Sequence, residues 1–406
     1  MPSTPHLSST ARSVSASATL QLNAEAARLR AAGEPVMHLG GGEPQSLAPQ
    51  DAVEAGLELL TTGAVRYTPA SGTPELKDAV VAYTQEFYGR QARRENVMIS
   101  AGAKQALMVA LIALLDAGDE VVFPAPYWVS YPEMVSIAGG VSVPVASDPQ
   151  THQPRLAALI AAFTDRTRVV LLNSPSNPAG KVLSRDLLVG VIEVCQERGI
   201  TLIVDDIYHR LVFDGLTVPH CFSCTTASLE EAGIVVINGI SKQYAMTGFR
   251  IGWAVGPATL IKAMSNLQSH LTGGPSTISQ VAAVAALNGD QKSVDQLRYD
   301  LQERRDRTVA LLAEIPGVEI IKPEGTFYCF VNFSKYDEDS TRLAQRILTK
   351  VQVVTVPGIE FGMEGYLRLS FCGALADIEE GIGRIKWLLD EAAGAQLRVG
   401  AKIFVR

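Results

Sequence analysis

The sequence lacks the features that would place it in a membrane or on nucleic acid. No run of about 18 apolar residues occurs, so we expect no segment to span a bilayer. The net charge is −7 and the pI is near 5.5, which leaves no basic excess to neutralise phosphates. This balance argues against nucleic acid and anionic membrane surfaces as partners.

Cysteine is scarce, with five residues at irregular spacing. An odd and scattered set argues against a disulfide framework and indicates reduced thiols, so we expect a cytoplasmic protein. The stretch HCFSC (220–224) has two cysteines three residues apart, but no second pair of metal ligands is visible. We expect no metal site, and zinc or redox chemistry at this stretch is the less favoured alternative.

Internal repeats and low-complexity linkers are also absent. A length of 406 residues suggests either two domains or one large α/β domain. Residues 1–15 are rich in Ser and Thr and contain no apolar signal core. We expect a flexible arm there, and a transit peptide is the less favoured alternative.

Between residues 49 and 285 the sequence alternates strand-like and helix-like segments. Short apolar runs rich in β-branched residues are typical of strands buried on both faces. They are DEVVFPAP (119–126), RVVLLNSP (168–175), TLIVDDIY (201–208), GIVVIN (233–238) and RIGWAVG (250–256). Helix-like stretches at 103–118 and 184–199 lie between such runs, and each ends at a glycine. The alternation predicts an α/β fold with a mostly parallel sheet flanked by helices.

After residue 285 the pattern changes. A long charged amphipathic helix is predicted at 291–315, and it precedes two strand candidates, GTFYCFVNF (325–333) and GYLRLSFCG (365–373). We predict a smaller α+β domain formed by residues 16–48 together with 286–406, beside a large domain of residues 49–285.

Polar and aromatic side chains follow several predicted strands, at the carboxyl ends where ligands bind to an open parallel sheet. These residues are Trp128, Asn177, Asp205, Tyr208 and Lys242. One further apolar run, VMIS (97–100), ends at a small-residue turn, AGAKQ, that opens a helix. The predicted topology brings all of these groups to one edge of the sheet.

This set of groups fits one kind of ligand. A helix N-terminus and an arginine can hold a phosphate, and an aromatic face can stack on a flat ring. A buried carboxylate can keep a ring nitrogen protonated, and a lysine can form an imine with an aldehyde. Together they fit pyridoxal phosphate, which supplies the electron sink while the protein supplies orientation and charge.

The stretch GISKQYAMTGFRIG (239–252) resembles the lysine motif of the fold-type I, class I aminotransferases, with Lys242 followed eight residues later by Arg250. The resemblance runs from LGGGEP (39–44) to LRLSF (367–371) and is strongest to aspartate aminotransferases of the bacterial subgroup. It implies transamination of L-aspartate with 2-oxoglutarate, giving oxaloacetate and L-glutamate with ping-pong kinetics.

The resemblance implies that Lys242 binds the cofactor covalently and then moves the substrate proton. Asp205 would pair with the pyridinium nitrogen; without the resemblance it reads equally as a helix cap, since Asp206 offers a second acid. Other implied cofactor contacts are Tyr208 and Asn177 at the phenolate oxygen, Trp128 on the ring, and Ala103, Lys104 and Arg250 at the phosphate. Tyr67 would reach the phosphate from a neighbouring subunit, which implies a homodimer.

On the substrate side, Arg368 would grip the α-carboxylate beside Gly42, with Trp128 and Asn177 also in contact with the substrate. Lys104 would meet the distal carboxylate of an acidic substrate; the alternative is a solvated residue in the first helical turn. Some relatives accept prephenate with the help of a lysine in the N-terminal arm, where this chain has Ser15.

Other activities stay open at this point. Within the same fold they are an aromatic or alanine aminotransferase and, with less support, a carbon–sulfur lyase. A regulator that kept the fold without the activity is the alternative from another class. Two departures from the family pattern, Gly239 in place of a frequent serine and Ser176 in place of a frequent amide or imidazole, predict fewer cofactor contacts rather than another reaction.

Overall fold

A computed structural model describes residues 5–14 and 18–405. The predicted arm at residues 1–15 therefore lies partly outside the described residues, and Ser15 lies outside them. The described strands are β1 Met37–His38, β2 Val97–Ser100, β3 Glu120–Ala125, β4 Val141–Ala146, β5 Thr167–Asn173, β6 Thr201–Asp205, β7 Ile234–Gly239, β8 Gly252–Val255, β9 Glu319–Ile320, β10 Tyr328–Asn332, β11 Val353–Val354, β12 Val356–Pro357, β13 Tyr366–Ser370, β14 Gln396–Val399 and β15 Lys402–Val405.

The α-helices lie between and around these strands. They are α1 Ser9–Ser13, α2 Ala18–Ala31, α3 Gln50–Thr62, α4 Pro74–Tyr88, α5 Ala103–Leu114, α6 Ser130–Ile137, α7 Leu156–Ala161, α8 Arg185–Arg198, α9 Ala258–Leu271, α10 Thr277–Asn288, α11 Lys292–Ala313, α12 Ser340–Val351 and α13 Leu375–Leu389. Short 3₁₀ turns occur at Arg94–Asn96, Cys221–Ser223, Thr247–Phe249 and Gly358–Phe361.

The central sheet has seven strands in the order β2-β8-β7-β6-β5-β3-β4. Neighbours pair in parallel except for β8, which runs antiparallel to both β2 and β7. The return strand β8 follows β7 without a crossover helix, and an antiparallel neighbour needs none. The predicted mostly parallel sheet flanked by helices is confirmed.

Alternate residues of the central strands pack on opposite faces of the sheet. On one face, Leu202 and Val236 join a core with α4, α8 and α10. On the other, Ile203 and Val235 join a core with α5, α6 and α9. Both faces are covered, which explains why these strands read as continuous apolar runs.

Local sequence sets the helix ends that frame the site. The Ser184 side chain accepts the Leu187 N–H at the start of α8, and Gly199 ends that helix with φ 65°. Helix α5 ends at Leu114, earlier than predicted, because Asp116 and Asp119 bond to each other in a turn.

A second core surrounds the four-stranded antiparallel sheet β12-β13-β10-β9, covered by α11, α12 and α13. The N-terminal segment joins it, because β1 pairs in parallel with β11. The sheet presents β13 towards the carboxyl ends of the central strands, where Asn177 and Arg368 meet. The domain boundaries drawn from the sequence stay a prediction.

Strands β14 and β15 form an antiparallel hairpin near the C-terminus. None of the helices among the described residues is long and apolar enough to cross a membrane. All five cysteines are free thiols, and the part of the chain that the structure describes holds no group of three metal-ligating side chains.

Candidate active site

A cavity of about 330 Å³ lies where the carboxyl ends of the parallel strands face β10 and β13. Every candidate residue named from the sequence lines this cavity except Tyr67. The lining candidates are Gly42, Ala103, Lys104, Trp128, Asn177, Asp205, Tyr208, Lys242, Arg250 and Arg368. The parallel topology therefore gathers groups that are far apart in sequence.

Lys242 lies in the turn after β7 and is partly buried. Its Nζ donates a hydrogen bond to the carbonyl oxygen of Gly42 at 2.6 Å and lies 5.9 Å from the ring centroid of Phe327. Burial lowers the pKa of Lys242 to about 8, although Cys372 and Glu43 act in the opposite direction. An amine that gives up its proton near neutral pH can serve as a nucleophile and as a base.

Asp205 ends β6 and is 4% exposed. The Tyr131 hydroxyl donates to its Oδ2 at 2.7 Å, and the Ile207 N–H donates to its Oδ1 at 3.3 Å. Burial nevertheless raises the pKa of Asp205 to about 6. A cationic partner in the cavity would stabilise this carboxylate, and a protonated ring nitrogen is such a partner.

The neighbouring Asp206 serves a different purpose. Its Oδ2 lies 2.7 Å from Nε2 of His220, and that imidazole stacks on Tyr88 with a centroid distance of 3.7 Å. Neither Asp206 nor His220 lines the cavity. This geometry favours Asp205 as the acid that faces a ligand.

Tyr208 and Asn177 lie on the side of the cavity nearest β13. The Tyr208 hydroxyl is 3.4 Å from that of Tyr328, and burial raises the pKa of Tyr208 well above its ordinary value. The Oδ1 of Asn177 accepts a hydrogen bond from Nη1 of Arg368 at 3.1 Å. A protonated phenol and a fixed amide can both donate to an oxyanion in the cavity.

The start of α5 is arranged to receive an anion. Ala103 and Lys104 are its first residues, so their N–H groups have no acceptor one turn earlier in the helix. Gly102, at φ +87°, has no side chain, and a Cβ there would stand 2.4 Å from Nη2 of Arg250. The guanidinium, whose Nη1 donates to the Thr247 carbonyl at 2.9 Å, can therefore approach the helix end closely. This convergence fits a phosphate group.

Trp128 and Lys104 form the rim of the cavity. The Lys104 Nζ lies 4.9 Å from the centroid of the Trp128 ring, and Trp128 meets Tyr131 edge-on at 5.5 Å. Lys104 is exposed, and its pKa is lowered first by desolvation of its amine and then by the charge of Arg250. An amine at this rim can meet a second anionic group on a substrate.

Arg368 enters the cavity from β13 and is 2% exposed. Its Nη2 donates to the Gly40 carbonyl at 3.0 Å, and its guanidinium lies 4.2 Å from the Tyr328 ring and 4.9 Å from the Phe361 ring. Its Nε has no hydrogen-bond partner among the described residues. A buried guanidinium with neutral partners and a spare N–H fits a carboxylate ligand.

Tyr67 is the one candidate that the structure does not bring to the cavity. Its side chain is fully exposed, at 107% of the reference value, in the segment after α3. A single chain therefore gives Tyr67 no contact with the other candidates.

Sequence reasoning missed three residues that shape the site. Asn173 accepts the Asn177 N–H at 2.7 Å, and its Nδ2 donates to the Asp205 carbonyl at the same distance. Tyr131 and Tyr328 support Asp205 and Arg368, as described above. Asn173 and Tyr131 carried usable signals, since Asn173 lies near the end of a predicted strand (168–175) and Tyr131 lies one helical turn beyond Trp128.

The donor set fits pyridoxal phosphate. The helix start with Arg250 fits the phosphate of this cofactor, the buried carboxylate of Asp205 fits its ring nitrogen, and the amine of Lys242 fits its aldehyde. The spare N–H of Arg368 leaves a place for the carboxylate of an amino acid.

Comparison with known proteins agrees with this chemistry. The family model for aminotransferase class I and II matches residues 34–385. The aspartate aminotransferase of Streptomyces avermitilis is 42% identical over 402 residues, covering 96% of this chain and 98% of the relative. That of Bacillus sp. strain YM-2 is 37% identical over 386 residues, covering 93% and 98%. The crystal structure of the aspartate aminotransferase from Rhizobium meliloti is 37% identical with a TM-score of 0.90, covering 94% and 98%.

The chain belongs to the class I and II aminotransferase family. It has the fold-type I architecture of these enzymes and uses pyridoxal phosphate to transfer amino groups between amino acids and 2-oxo acids. The activity class and the cofactor predicted from the sequence are thereby confirmed.

Proposed function

We propose that this aminotransferase transfers the amino group of L-aspartate to 2-oxoglutarate. The observation that carries the proposal is the pair of cations that line one cavity, Arg368 from β13 and Lys104 from the start of α5. An amino acid with two carboxylates can bind both cations, whereas an apolar amino acid offers no carboxylate to the amine of Lys104. Relatives named aspartate aminotransferase support the same substrate.

The proposed mechanism assigns each proton to a residue of this chain. When bound, pyridoxal phosphate supplies an aldehyde for covalent attachment and a ring that withdraws electrons from the substrate α-carbon. The amine of Lys242, with a pKa of about 8, would take the α-proton of the substrate and deliver it to the carbon that comes from the cofactor aldehyde. Asp205, whose carboxylate accepts a hydrogen bond from Tyr131, would keep the ring nitrogen protonated.

The other residues hold the reactants in place. Tyr208 and Asn177 would donate hydrogen bonds to the phenolate oxygen, and Trp128 would stack on the ring. The backbone N–H groups of Ala103 and Lys104 and the guanidinium of Arg250 would hold the phosphate at the helix start. Arg368 would bind the α-carboxylate next to the Gly42 backbone and so orient the substrate towards Lys242.

The substrate is tested with purified enzyme and single amino acids, by following which of them convert the bound cofactor to its amine form. Aspartate and glutamate are expected to react, and alanine and tyrosine much less. Lys104→Ser should raise KM for aspartate by about 10- to 100-fold, the effect of one charged hydrogen bond, and change KM for alanine less than about twofold. The control is Lys262→Ser, on the exposed face of α9.

An equal change in KM for aspartate and for alanine in Lys104→Ser would contradict the proposal of an acidic substrate. Faster conversion by tyrosine or alanine would favour the aromatic or alanine aminotransferase. Release of ammonia and pyruvate without a 2-oxo acid acceptor would indicate the lyase.

We also propose that the active unit is a homodimer in which Tyr67 of one subunit completes the site of the other. Besides Tyr67, the preceding helix α3 leaves Leu57 and Leu60 exposed, at 59% and 51%. Exposed apolar side chains close in sequence to the fully exposed Tyr67 fit an interface with a second copy of this chain.

Subunit mixing tests the dimer. A hybrid of a Lys242→Ala subunit with a Tyr67→Ala subunit contains one site with both native residues only if Tyr67 crosses between subunits. Recovered activity is therefore expected on mixing two impaired variants, and light scattering should give the mass of two chains. A monomer in solution, or no recovery, would contradict the proposal.

We also propose a division into two domains and a cytoplasmic location. The cores around the central sheet and around β9–β13 support a large domain of residues 49–285 and a small domain of residues 16–48 with 286–406.

The free state of all five cysteines supports a cytoplasmic location. Limited proteolysis at the domain boundaries and cell fractionation would test these two proposals.

A further inference from the structure

A second, smaller cavity lies directly behind the active site. Its volume is about 30 Å³, and Asn173 and Asn177 line both cavities. The rest of its lining includes Ser147 and His152, from the turn that follows β4, and Ser176. None of these three has a role in the proposed function.

Unpaired polar atoms concentrate at this small cavity. Ser147 Oγ and both ring nitrogens of His152 are buried and have no hydrogen-bond partner among the described residues. His152 is only 4% exposed. One unpaired buried polar atom is unfavourable, so three at one cavity call for an explanation. A cavity of this volume has room for one or two water molecules.

The turn after β4 fixes the position of the His152 imidazole at the small cavity. His152 has a left-handed backbone, with φ 54°, which few residues other than glycine adopt. Asp148 fixes the turn, because its carbonyl accepts the His152 N–H at 2.7 Å and its side chain accepts the Thr151 N–H at 3.1 Å. The imidazole packs against Phe330 and Tyr366 with centroid distances of 5.7 and 5.6 Å.

The cavity connects this turn to the residues that hold cofactor and substrate. Ser176, next to Asn177, accepts the Lys181 N–H at 3.2 Å and keeps its own hydroxyl proton to donate. Phe330, which His152 contacts, is the direct cross-strand neighbour of Arg368. His152 therefore borders both the Asn177 segment and the strand pair that carries the arginine.

We propose that the small cavity is a water site and that His152 is a positioning residue for Asn177. Ordered water hydrogen-bonded to His152, Ser147 and Ser176 holds the loop of Ser176 and Asn177 in place, so that Asn177 faces Arg368 and the cofactor. A neutral imidazole offers one donor and one acceptor, and a hydroxyl offers both, so one or two waters satisfy all of these groups. The inference rests on the proposed role of Asn177 but not on aspartate as the substrate.

The charge of His152 takes no part in this role. Burial lowers the pKa of His152 to about 4, with Lys181 acting in the same direction and Asp148 against it. Of the two aromatic rings that pack on the imidazole among the described residues, Phe330 and Tyr366, only Tyr366 is titratable. His152 is therefore neutral at working pH, and the effect of replacing it should not vary with pH above about 5.

Two substitutions separate hydrogen bonding from packing. His152→Phe keeps a ring against Phe330 and Tyr366 and removes both nitrogens. His152→Asn loses the ring but keeps a donor and an acceptor, and Asn tolerates the left-handed backbone. His152→Phe should raise KM for the best amino-acid substrate about 10-fold, as for one lost buried hydrogen bond, and shift the pH at which the absorbance of the bound cofactor changes.

His152→Asn should stay within about twofold of the wild type in both measurements, and Ser147→Ala should change them in the same direction as His152→Phe but less. A crystal structure of the wild-type holoenzyme should show water within hydrogen-bond distance of His152 and Ser147. A well-ordered cavity without water at these groups would overturn the proposal even if no variant folds.

Wild-type values of KM and of the absorbance pH in His152→Phe would also overturn it. Equal losses in His152→Phe and His152→Asn would show that the His152 ring acts only by packing. Because the best amino acid found by profiling is used, failure of the aspartate proposal leaves this test intact.

Discussion

The two sides of the active-site cavity hold their charged groups in different ways. On the side of the central sheet, burial shifts Lys242 and Asp205 towards their neutral forms, with pKa values of about 8 and about 6. On the side of β13, Arg368 lies among neutral partners, a carbonyl, an amide and two aromatic rings. The first side suits groups that exchange protons, and the second suits a charge that never changes.

This difference separates catalysis from recognition. In the proposed mechanism, Lys242 and Asp205 contact the cofactor, and their shifted pKa values suit proton transfer at a common reacting centre. In the same proposal, Arg368 binds the carboxylate that every amino-acid substrate carries. Substitutions on the two sides should therefore change different kinetic constants.

The largest expected effect comes from Lys242→Ala. Loss of the amine removes both the covalent link and the proton carrier, so kcat should fall by about 10⁴-fold or more for every amino acid. Borohydride reduction followed by peptide mapping should place the cofactor on Lys242 in the wild type and on no peptide in the variant. Retained turnover in Lys242→Ala, or a label on another lysine, would show that the central-sheet side does not hold the reacting amine.

The next largest effect is expected on the other side, from Arg368→Lys. A lysine keeps the charge but loses the planar pair of donors, so kcat/KM should fall about 100-fold, mainly through KM. The matched control is Arg384→Lys, a buried arginine of α13 that bonds to Glu380 and to the Pro35 carbonyl and does not line the cavity. It should lower thermal stability and leave KM unchanged. A loss confined to kcat in Arg368→Lys would erase the distinction between the two sides.

The sequence predicted the cofactor side better than the substrate side. Apolar β-branched runs located β3, β5, β6, β7 and β8, and parallel topology then required their carboxyl ends to meet. That reasoning places Asp205, Asp206 and Lys242 at this edge, and the resemblance to the aminotransferases then selects Asp205 over Asp206. Edge strand β4 was missed because Pro144 interrupts it and its residues are half exposed.

Contacts between distant elements could not be predicted in this way. Tyr131 bonds to Asp205 from a helix on another segment, and Tyr328 lies under Arg368 from a neighbouring strand. Neither pairing leaves a periodic signal in the sequence, because both depend on how elements pack. The unpaired nitrogens of His152 are visible only in three dimensions. The single chain leaves Tyr67 exposed and away from the cavity.

A third predicted effect concerns stability and tests whether burial of Asp205 is unfavourable without the cofactor. Its pKa is raised from 3.8 to about 6, so the folded protein binds more protons than the unfolded chain between these values. Stability of the cofactor-free protein should therefore fall as the pH rises through this window. Asp205→Asn should raise the free energy of unfolding by about 3 kcal/mol near pH 8 and by less than about 1 kcal/mol near pH 4.

Asp206→Asn is the matched control, because Asp206 is equally buried but is paired with His220. This variant leaves His220 without its carboxylate, so it should be destabilised at both pH values. Urea unfolding of cofactor-free protein measures both variants, and activity of the holoenzymes should fall most in Asp205→Asn. A change of stability in the same direction for both variants near pH 8 would contradict this prediction. The carboxylate of Asp205 would then be a structural group like that of Asp206. Lys242 would be the only residue on the central-sheet side whose charge is unfavourable where it lies.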